Sequence, residues 1–286
     1  DTWNSEFFNK PKDVVIAAFK RRMDSSLGEG SVSVRQVEAL HDFGYLPISI
    51  KALPEGSRVK IGVPYLTVKN TDKQFYWLTN YIETILSAEL WKPITSATVA
   101  YEYRRVMNFY ADLTGSSKEF TAWQCHDFSM RGMSGVHDAS ASGAAHLLSH
   151  FGTDTIPAID YLENYYRADC TLELIGGSVP ATEHSVMCMG GEGSEIETFR
   201  RLINEIYPSG IVSIVSDTWD FWKVITDYAA ILKDEILARQ PNAIGMAKVV
   251  FRPDSGDPVK IICGDKDAEP GSPAHKGAVQ CLFDIF

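Results

Sequence analysis

The sequence has few cysteines and no CxxC pair. The five cysteines are Cys125, Cys170, Cys188, Cys263 and Cys281. An odd number leaves at least one unpaired, which argues against a disulfide framework and favours a reducing compartment. We therefore expect a cytoplasmic protein.

Long hydrophobic runs and clusters of basic residues are also missing. The longest apolar stretch, residues 14–19, is far shorter than the ~20 residues of a membrane helix. The chain has 27 Lys and Arg against 37 Asp and Glu, a net charge of −10. The negative electrostatic field of such a chain repels nucleic acid and anionic membranes, so we expect neither as a partner.

Four common functional motifs are absent: GxGxxG, GxxxxGK[ST], GxSxG and HExxH. The signatures of dinucleotide-binding, P-loop, α/β-hydrolase and zincin sites are thus excluded. His146 and His150 have an i, i+4 spacing that could bind zinc. Because no adjacent Glu or third ligand is apparent, no metal site is predicted from them.

The first 118 residues predict a mixed α+β domain, in a chain whose 286 residues fit about two domains. Pro11 begins a helix that runs to about Met23, and Ser33 with Gln36 forms a capping box for a helix that ends at Gly44. Apolar residues alternate at 46–50 and 59–63 around a turn at 54–56, which predicts an antiparallel strand pair. Helical spacing follows at 75–86 and 94–113.

Residues 119–286 predict parallel βαβ units. Strand-like runs occur at residues 121–126, 172–175, 211–215 and 248–251. Amphipathic segments separate them, at residues 142–150, 156–166, 195–206 and 221–238. This alternation is typical of an α/β fold, either a (β/α) barrel or an open doubly wound sheet.

Polar and ionisable residues follow each predicted strand. They are Asp127, Phe128 and Arg131, then Ser178, Glu183 and His184, then Ser216 and Asp217, and finally Arg252, Asp254 and Ser255. The carboxyl ends of parallel strands converge on one pocket in these folds. Helix capping explains Ser216 and Asp217 equally well, but it does not explain two arginines and a histidine at equivalent points.

The residue types in this pocket suggest phosphate and ring binding. Arg131 and Arg252 are planar cations suited to phosphate, although each could be a surface ion-pair partner. His184 could be a nucleophile or a general base. Phe128 could stack on a flat heterocycle or belong to the core. Asp154 could cap the following helix or accept a hydrogen bond from an N–H donor.

Seven ordered motifs together resemble those of a known family. They are residues 46–56, 76–84, 126–132, 152–155, 178–185, 215–217 and 252–256. With them, the chain resembles the nicotinamide phosphoribosyltransferases, which are type II phosphoribosyltransferases, along nearly all of its length. Residues 129–130 are Ser-Met, where better-known members have Gly-Tyr, so the loop near the ring could differ in shape.

The resemblance implies an architecture. Residues 119–286 would form an incomplete (β/α) barrel-like catalytic domain, and residues 1–118 a smaller mixed α+β domain. The family forms homodimers with shared active sites. Its chains extend further at both ends, so we expect this stretch to be a fragment that is inactive and aggregation-prone by itself.

The resemblance also implies a reaction, in which nicotinamide and 5-phosphoribosyl 1-pyrophosphate give nicotinamide mononucleotide and diphosphate, with Mg²⁺, for NAD salvage. ATP would stimulate it by phosphorylating His184, which Asp217 orients. Phe128 would stack on the ring and Asp154 would accept a hydrogen bond from the carboxamide. The remaining matched substrate-binding positions are Arg131, Ser178, Val179, Arg252 and Asp254, the last also being catalytic.

Three other functions stay open. Nicotinate phosphoribosyltransferase shares the architecture, although Asp154 argues against an anionic substrate. A non-catalytic barrel that binds phosphorylated metabolites is the second alternative. A zinc hydrolase on the same barrel is the third.

Overall fold

The described chain is built from helices and short strands. The computed structural model describes residues 2–243 and 245–286, which divide into two units, Asp1–Gly177 and Ser178–Phe286. The mixed α/β class is therefore confirmed. The predicted domain boundary after residue 118 lies inside the first unit, and that domain assignment stays a prediction.

The first unit contains six α-helices and four strands among its described residues. In chain order they are α1 (Lys12–Leu27), α2 (Arg35–Phe43), β1 (Ile48–Ala52), β2 (Leu66–Asn70), α3 (Leu78–Thr114), α4 (Lys118–Gln124), β3 (His126–Asp127), α5 (Val136–His146), β4 (Gly152–Thr153) and α6 (Pro157–Tyr166). Leu40, Phe75, Leu78 and Ile82 form a buried apolar cluster in this unit.

The antiparallel pair is confirmed, but its second strand was predicted in the wrong place. β1 pairs with β2, with Ile50 opposite Val68, whereas residues 59–63 lie in the connection. Gly62 adopts a left-handed φ of +84° in a turn there, which breaks the extended backbone that a strand needs. Ile61 is fully exposed, so its alternation with Val59 and Val63 marks no buried face.

α3 is one helix of 37 residues where two were predicted, and Pro93 lies inside it. Proline removes one helical hydrogen bond and usually ends or kinks a helix. Here the neighbouring turns are tied to α5, since Lys92 forms an ion pair with Asp138. Ser96 Oγ also lies 2.7 Å from Ser142 Oγ. Tertiary packing on both sides of Pro93 therefore keeps the helix continuous.

The predicted strand at residues 121–126 is wrong for most of its length. Ser117 Oγ accepts a hydrogen bond from the Glu119 amide at 3.2 Å, and this N-cap starts helix α4. Only His126 and Asp127 remain as strand β3, which pairs in parallel with β4. The helix predicted at 142–150 begins earlier, at Val136, and ends at His146. It ends there because residues 147–150 already form the turn that leads into β4.

The second unit is built around the parallel pair of β5 (Ile211–Val215) and β6 (Lys248–Arg252). Its helices are α7 (His184–Met187), α8 (Glu195–Arg201), α9 (Phe221–Lys223), α10 (Ala229–Ile231), α11 (Lys233–Leu237), α12 (Pro258–Cys263), α13 (Pro273–Lys276) and α14 (Ala278–Ile285). π-helical turns at Leu202–Ile206 and Val224–Tyr228 continue α8 and join α9 to α10.

The β5 strand is buried along nearly its whole length, with Val212, Ile214 and Val215 fully inaccessible. A strand covered on both faces reads as a continuous apolar run, which is why β5 was predicted correctly. β6 was also predicted at its observed place, although it is only partly buried and Lys248 and Val250 are exposed. Phe199 and Met187 belong to the same buried cluster as these β5 residues.

The strand predicted at residues 172–175 is absent from the described structure. Leu172 and Leu174 are largely exposed and lie in turns and coil. The parallel contacts form a few residues later, where Gly177 bridges Gly152 in the first unit. In the second unit Ala181 bridges Ser213. The strand was thus predicted about four residues too early in the sequence.

The described residues contain no helix long and apolar enough to cross a membrane.

Candidate functional site

One face of the β3–β4 ladder carries two of the predicted ring-binding residues. His126 pairs with Gly152, and Asp127 pairs with Thr153. Side chains alternate along a strand, so His126 and Asp154 share a face, and Phe128 follows on the same side. Phe128 is 54% exposed, so its ring is available to a ligand.

The side chain of His126 contacts both Asp154 and Phe128. Its Nε2 lies 2.8 Å from Asp154 Oδ1, and its ring centroid lies 4.5 Å from that of Phe128, with a tilt of 36°. The structure therefore brings Phe128 and Asp154 into one cluster through a residue that the sequence prediction did not include. Its position two residues before Phe128 was the signal that could have identified it.

Gly152 provides the space for this arrangement. A Cβ at this position would lie 2.7 Å from His126 Nδ1 and 2.9 Å from the Cys125 carbonyl oxygen. Both distances are shorter than van der Waals contact, so only glycine lets the imidazole lie across the neighbouring strand.

On the opposite face, Asp127 is buried and organises the turn that carries Arg131. Its Oδ1 accepts hydrogen bonds from the Ser129 amide at 2.9 Å and the Ser129 hydroxyl at 2.6 Å. Burial alone would raise the pKa of Asp127, but these hydrogen bonds outweigh it and hold the pKa below its usual value. The ionised Asp127 thus fixes the short 3₁₀ turn Ser129–Gly132, on which Arg131 is exposed.

The two histidines with zinc-like spacing are engaged by the backbone. His146 Nε2 lies 3.1 Å from the Gly152 carbonyl oxygen, and His150 Nε2 lies 3.0 Å from that of Ala100. Burial lowers the pKa of both rings, so they are neutral and structural. In the described part of the chain, no group of three or more His, Cys, Asp or Glu side chains is arranged to hold a metal ion.

In the second unit, His184 lies between two carboxylates. Its Nε2 is 3.3 Å from Asp217 Oδ1, and its Nδ1 is 3.8 Å from Asp254 Oδ2. The imidazole is 45% exposed and Asp217 only 8%. An accessible ring is therefore backed by a buried negative charge, an arrangement that can orient a nucleophilic or basic imidazole.

The loop that follows β6 holds Asp217 in place. Asp217 Oδ2 accepts hydrogen bonds from the Asp254 amide at 2.8 Å and from the Ser255 hydroxyl at 2.6 Å. Burial acts to raise the pKa of Asp217, but these bonds and the nearby His184 lower it overall. Asp217 is thus a carboxylate at neutral pH, and Ser255 is a supporting residue to which the sequence prediction gave no role.

Arg252 has a structural contact in addition to its predicted role. Its Nη2 donates to the Thr182 carbonyl oxygen at 2.5 Å, and Thr182 Oγ1 accepts from the Val215 amide at 2.9 Å. Arg252 therefore joins the strand ends on both sides of β5. Ser178 and Val179 are exposed and directly precede the segment that pairs with β5 at Ala181.

The structure thus groups the predicted residues within each unit. Phe128 and Asp154 lie together in the first unit, with Arg131 on the adjoining turn. His184, Asp217 and Asp254 lie together in the second. The single pocket predicted to contain all of them, and their roles in it, stay predictions.

The chain matches both a protein-family model and individual known proteins. Residues 123–283 match the model of the nicotinate phosphoribosyltransferase (NAPRTase) family. The whole chain is 65% identical to a protein of Acinetobacter baylyi named nicotinamide phosphoribosyltransferase, of which it covers 56%.

Two more distant relatives carry the same name. The protein of Xanthomonas campestris is 35% identical over 77% of this chain and 45% of its own length. That of Mycoplasma pneumoniae is 34% identical over 83% of this chain and 49% of its own length. The chain therefore spans about half the length of the curated relatives that it matches.

Proposed function

The chain belongs to the nicotinate phosphoribosyltransferase family, and we propose that the whole protein is a nicotinamide phosphoribosyltransferase of NAD salvage. It would join nicotinamide to 5-phosphoribosyl 1-pyrophosphate, giving nicotinamide mononucleotide and diphosphate. The ring nitrogen attacks C1 of the ribose, a C–N bond forms, and the C1–O bond to diphosphate breaks. Bringing the two substrates into line accounts for much of the acceleration of such a transfer.

The observation that carries this proposal is the exposed ring of Phe128 on the same strand face as the Asp154 carboxylate. A pyridine stacked on Phe128 would present its substituent to that carboxylate. Asp154 accepts a hydrogen bond from an amide N–H but repels a carboxylate, so the amide is favoured over the acid. The name shared by the three relatives supports the same substrate.

The two arginines would bind the phosphate groups. Arg131 is exposed on the turn after β3, and Arg252 ends β6. Guanidinium groups bind phosphate through paired hydrogen bonds, and they stabilise the negative charge that collects on the departing diphosphate. Ser178 and Val179 would contribute polar and backbone contacts to the same substrate.

Asp254 would hold Mg²⁺. Its carboxylate is 52% exposed, and Mg²⁺ binds through one or two carboxylates together with substrate phosphates and water. A single accessible carboxylate therefore fits the ion. When bound, Mg²⁺ would supply positive charge that neutralises the diphosphate.

His184 would be the residue that ATP phosphorylates. Asp217 can only accept hydrogen bonds and faces Nε2, which favours the proton on Nε2 and leaves the Nδ1 lone pair for attack. Nδ1 would attack the γ-phosphorus, forming an N–P bond while the bond to the β,γ-bridging oxygen breaks and ADP leaves. Hydrolysis of the phosphohistidine would then restore the imidazole.

We further propose that the parallel strands belong to a (β/α) barrel. Within the first unit β3, β4 and Gly177 are neighbours in chain order, and within the second unit Ala181, β5 and β6 are. Consecutive parallel neighbours are the arrangement of barrel strands. The whole protein would be a cytoplasmic homodimer with shared active sites.

Turnover by the purified full-length protein tests the function. Nicotinamide mononucleotide should form from nicotinamide and 5-phosphoribosyl 1-pyrophosphate, faster with ATP, and nicotinate should be a poor substrate. Asp154→Asn should lower the preference for the amide over the acid by about tenfold or more, because it removes the repelling charge. A protein that prefers nicotinate would be a nicotinate phosphoribosyltransferase, the alternative that the family description raises. Binding of phosphorylated metabolites without turnover would indicate a non-catalytic barrel.

A further inference from the structure

His126 lies between the two residues that the proposed function assigns to the pyridine ring. Its Nε2 is 2.8 Å from Asp154 Oδ1, and its ring packs on that of Phe128 at a centroid distance of 4.5 Å. An ionised carboxylate can only accept a hydrogen bond, so the imidazole nitrogen is the donor in this pair.

We infer that His126 is a positioning residue that sets the preference for a neutral pyridine carboxamide over a pyridine carboxylate. This inference rests on the proposed function. Asp154 is 38% exposed and follows a strand of only two residues, so rotation about its side-chain bonds would move the carboxylate. The hydrogen bond from His126 restricts that rotation and keeps the negative charge beside Phe128.

His126 is itself held firmly enough for this role. Its side chain is 22% exposed, and its backbone lies in the parallel ladder opposite Gly152. The ring lies across the neighbouring strand in the space that a side chain at Gly152 would occupy. A fixed imidazole therefore fixes the carboxylate, and a fixed carboxylate discriminates better between an amide and an acid than a mobile one.

A matched pair of substitutions in the full-length protein separates the hydrogen bond from the packing. His126→Gln keeps an N–H donor at a similar distance from the backbone, while His126→Met has similar length and no donor. We expect His126→Met to raise the KM for nicotinamide about tenfold and to lower the amide-to-acid ratio of kcat/KM by a similar factor. His126→Gln should stay within about threefold of the unmodified protein. The KM for 5-phosphoribosyl 1-pyrophosphate should change less than about twofold in both.

His137→Met is the control, because His137 is an exposed histidine of the same unit that has no part in the proposed site. It should leave both KM values and the amide-to-acid ratio unchanged.

Equal KM values and equal selectivity in the Gln and Met variants would overturn the inference. A loss of affinity for both substrates alike would do so too, because it would mean a general structural role. Should the Met variant fail to fold, His126→Phe takes its place, since it keeps a ring against Phe128 and lacks the donor. If the unmodified protein does not use nicotinamide, the proposed function is wrong. If the unmodified protein is active but the Gln and Met variants behave alike, only the inference about His126 is wrong.

Discussion

Asp217 lies beneath the exposed ring of His184, with its Oδ1 3.3 Å from Nε2. The carboxylate is almost fully buried, and Oδ1 accepts no hydrogen bond from the described residues. Its other oxygen accepts two, from Asp254 and Ser255. One oxygen is therefore anchored by the loop after β6, and the other is directed at the imidazole.

Asp217→Asn should reduce ATP-stimulated turnover by about 10- to 100-fold while basal turnover falls much less. The variant keeps the shape of the side chain but loses the charge that favours the proton on Nε2. Steady-state rates with and without ATP measure this effect. Glu205→Gln, a charge-removing change at an exposed residue, is the control. Equal losses with and without ATP would contradict the orienting role.

Ser255→Ala should lower stability by about 1 kcal/mol at pH 7. Ser255 helps keep the pKa of Asp217 below its usual value. A lowered pKa gives stability that is present above the unfolded pKa of about 3.9 and is lost as pH falls through the folded value. The difference between Ser255→Ala and the unmodified protein should therefore shrink below about pH 4. Urea unfolding at several pH values measures this difference in unfolding free energy, and Ser209→Ala, at an exposed serine, is the control. A difference that does not change with pH would show that Ser255 does not act through the ionisation of Asp217.

Glu195→Gln should stabilise the protein at pH 8 by roughly 1 to 3 kcal/mol and have little effect near pH 4. Glu195 is 2% exposed, its Oε1 accepts no hydrogen bond from the described residues, and burial raises its pKa to about 7. Because the folded state holds the proton more tightly, stability falls as pH rises from about 4.5 to 7. Thermal melts from pH 4 to pH 8 measure the effect, with Glu205→Gln as control. If Glu195→Gln instead destabilises the protein at pH 8, the ionised Glu195 carboxylate has a stabilising partner and the prediction is wrong.

Gly152→Ala should destabilise the protein by about 2 kcal/mol and weaken nicotinamide binding. The new Cβ would meet the Cys125 carbonyl oxygen at 2.9 Å and the His126 ring at 2.7 Å, so the ring must move away from Asp154. Gly193→Ala is the matched control, because a Cβ there would meet nothing within 4 Å. Calorimetry of nicotinamide binding, together with thermal melts, tests both effects. Unchanged binding in a folded Gly152→Ala protein would contradict the proposed geometry.

Several elements could be predicted from local sequence because their signals are local. β5 is a short Val/Ile run that is buried on both faces, and Gly44 ends α2 in the left-handed conformation expected of a C-cap glycine. α6 begins at Pro157, in the first-turn position that proline favours. The pattern of polar residues after strands also led to His184, Asp217 and Asp254, which the structure brings together.

Other elements could not be predicted, because competing local signals had similar strength. Apolar residues at 121–126 fit a short strand as well as a helix, and the Ser117 cap decided for the helix. Pro93 suggested a helix end, but contacts with α5, a distant segment, keep α3 continuous.

By itself, the sequence determined the α/β class, the positions of β5 and β6 and the residue types available for chemistry, since these depend on composition and short-range periodicity. Only the tertiary structure decided which atoms face one another. The contacts of His126 with Asp154, and of Ser255 with Asp217, join residues 28 and 38 positions apart. No local propensity specifies such pairs, because they exist only after strands have paired in one register and the loops that follow them have come together.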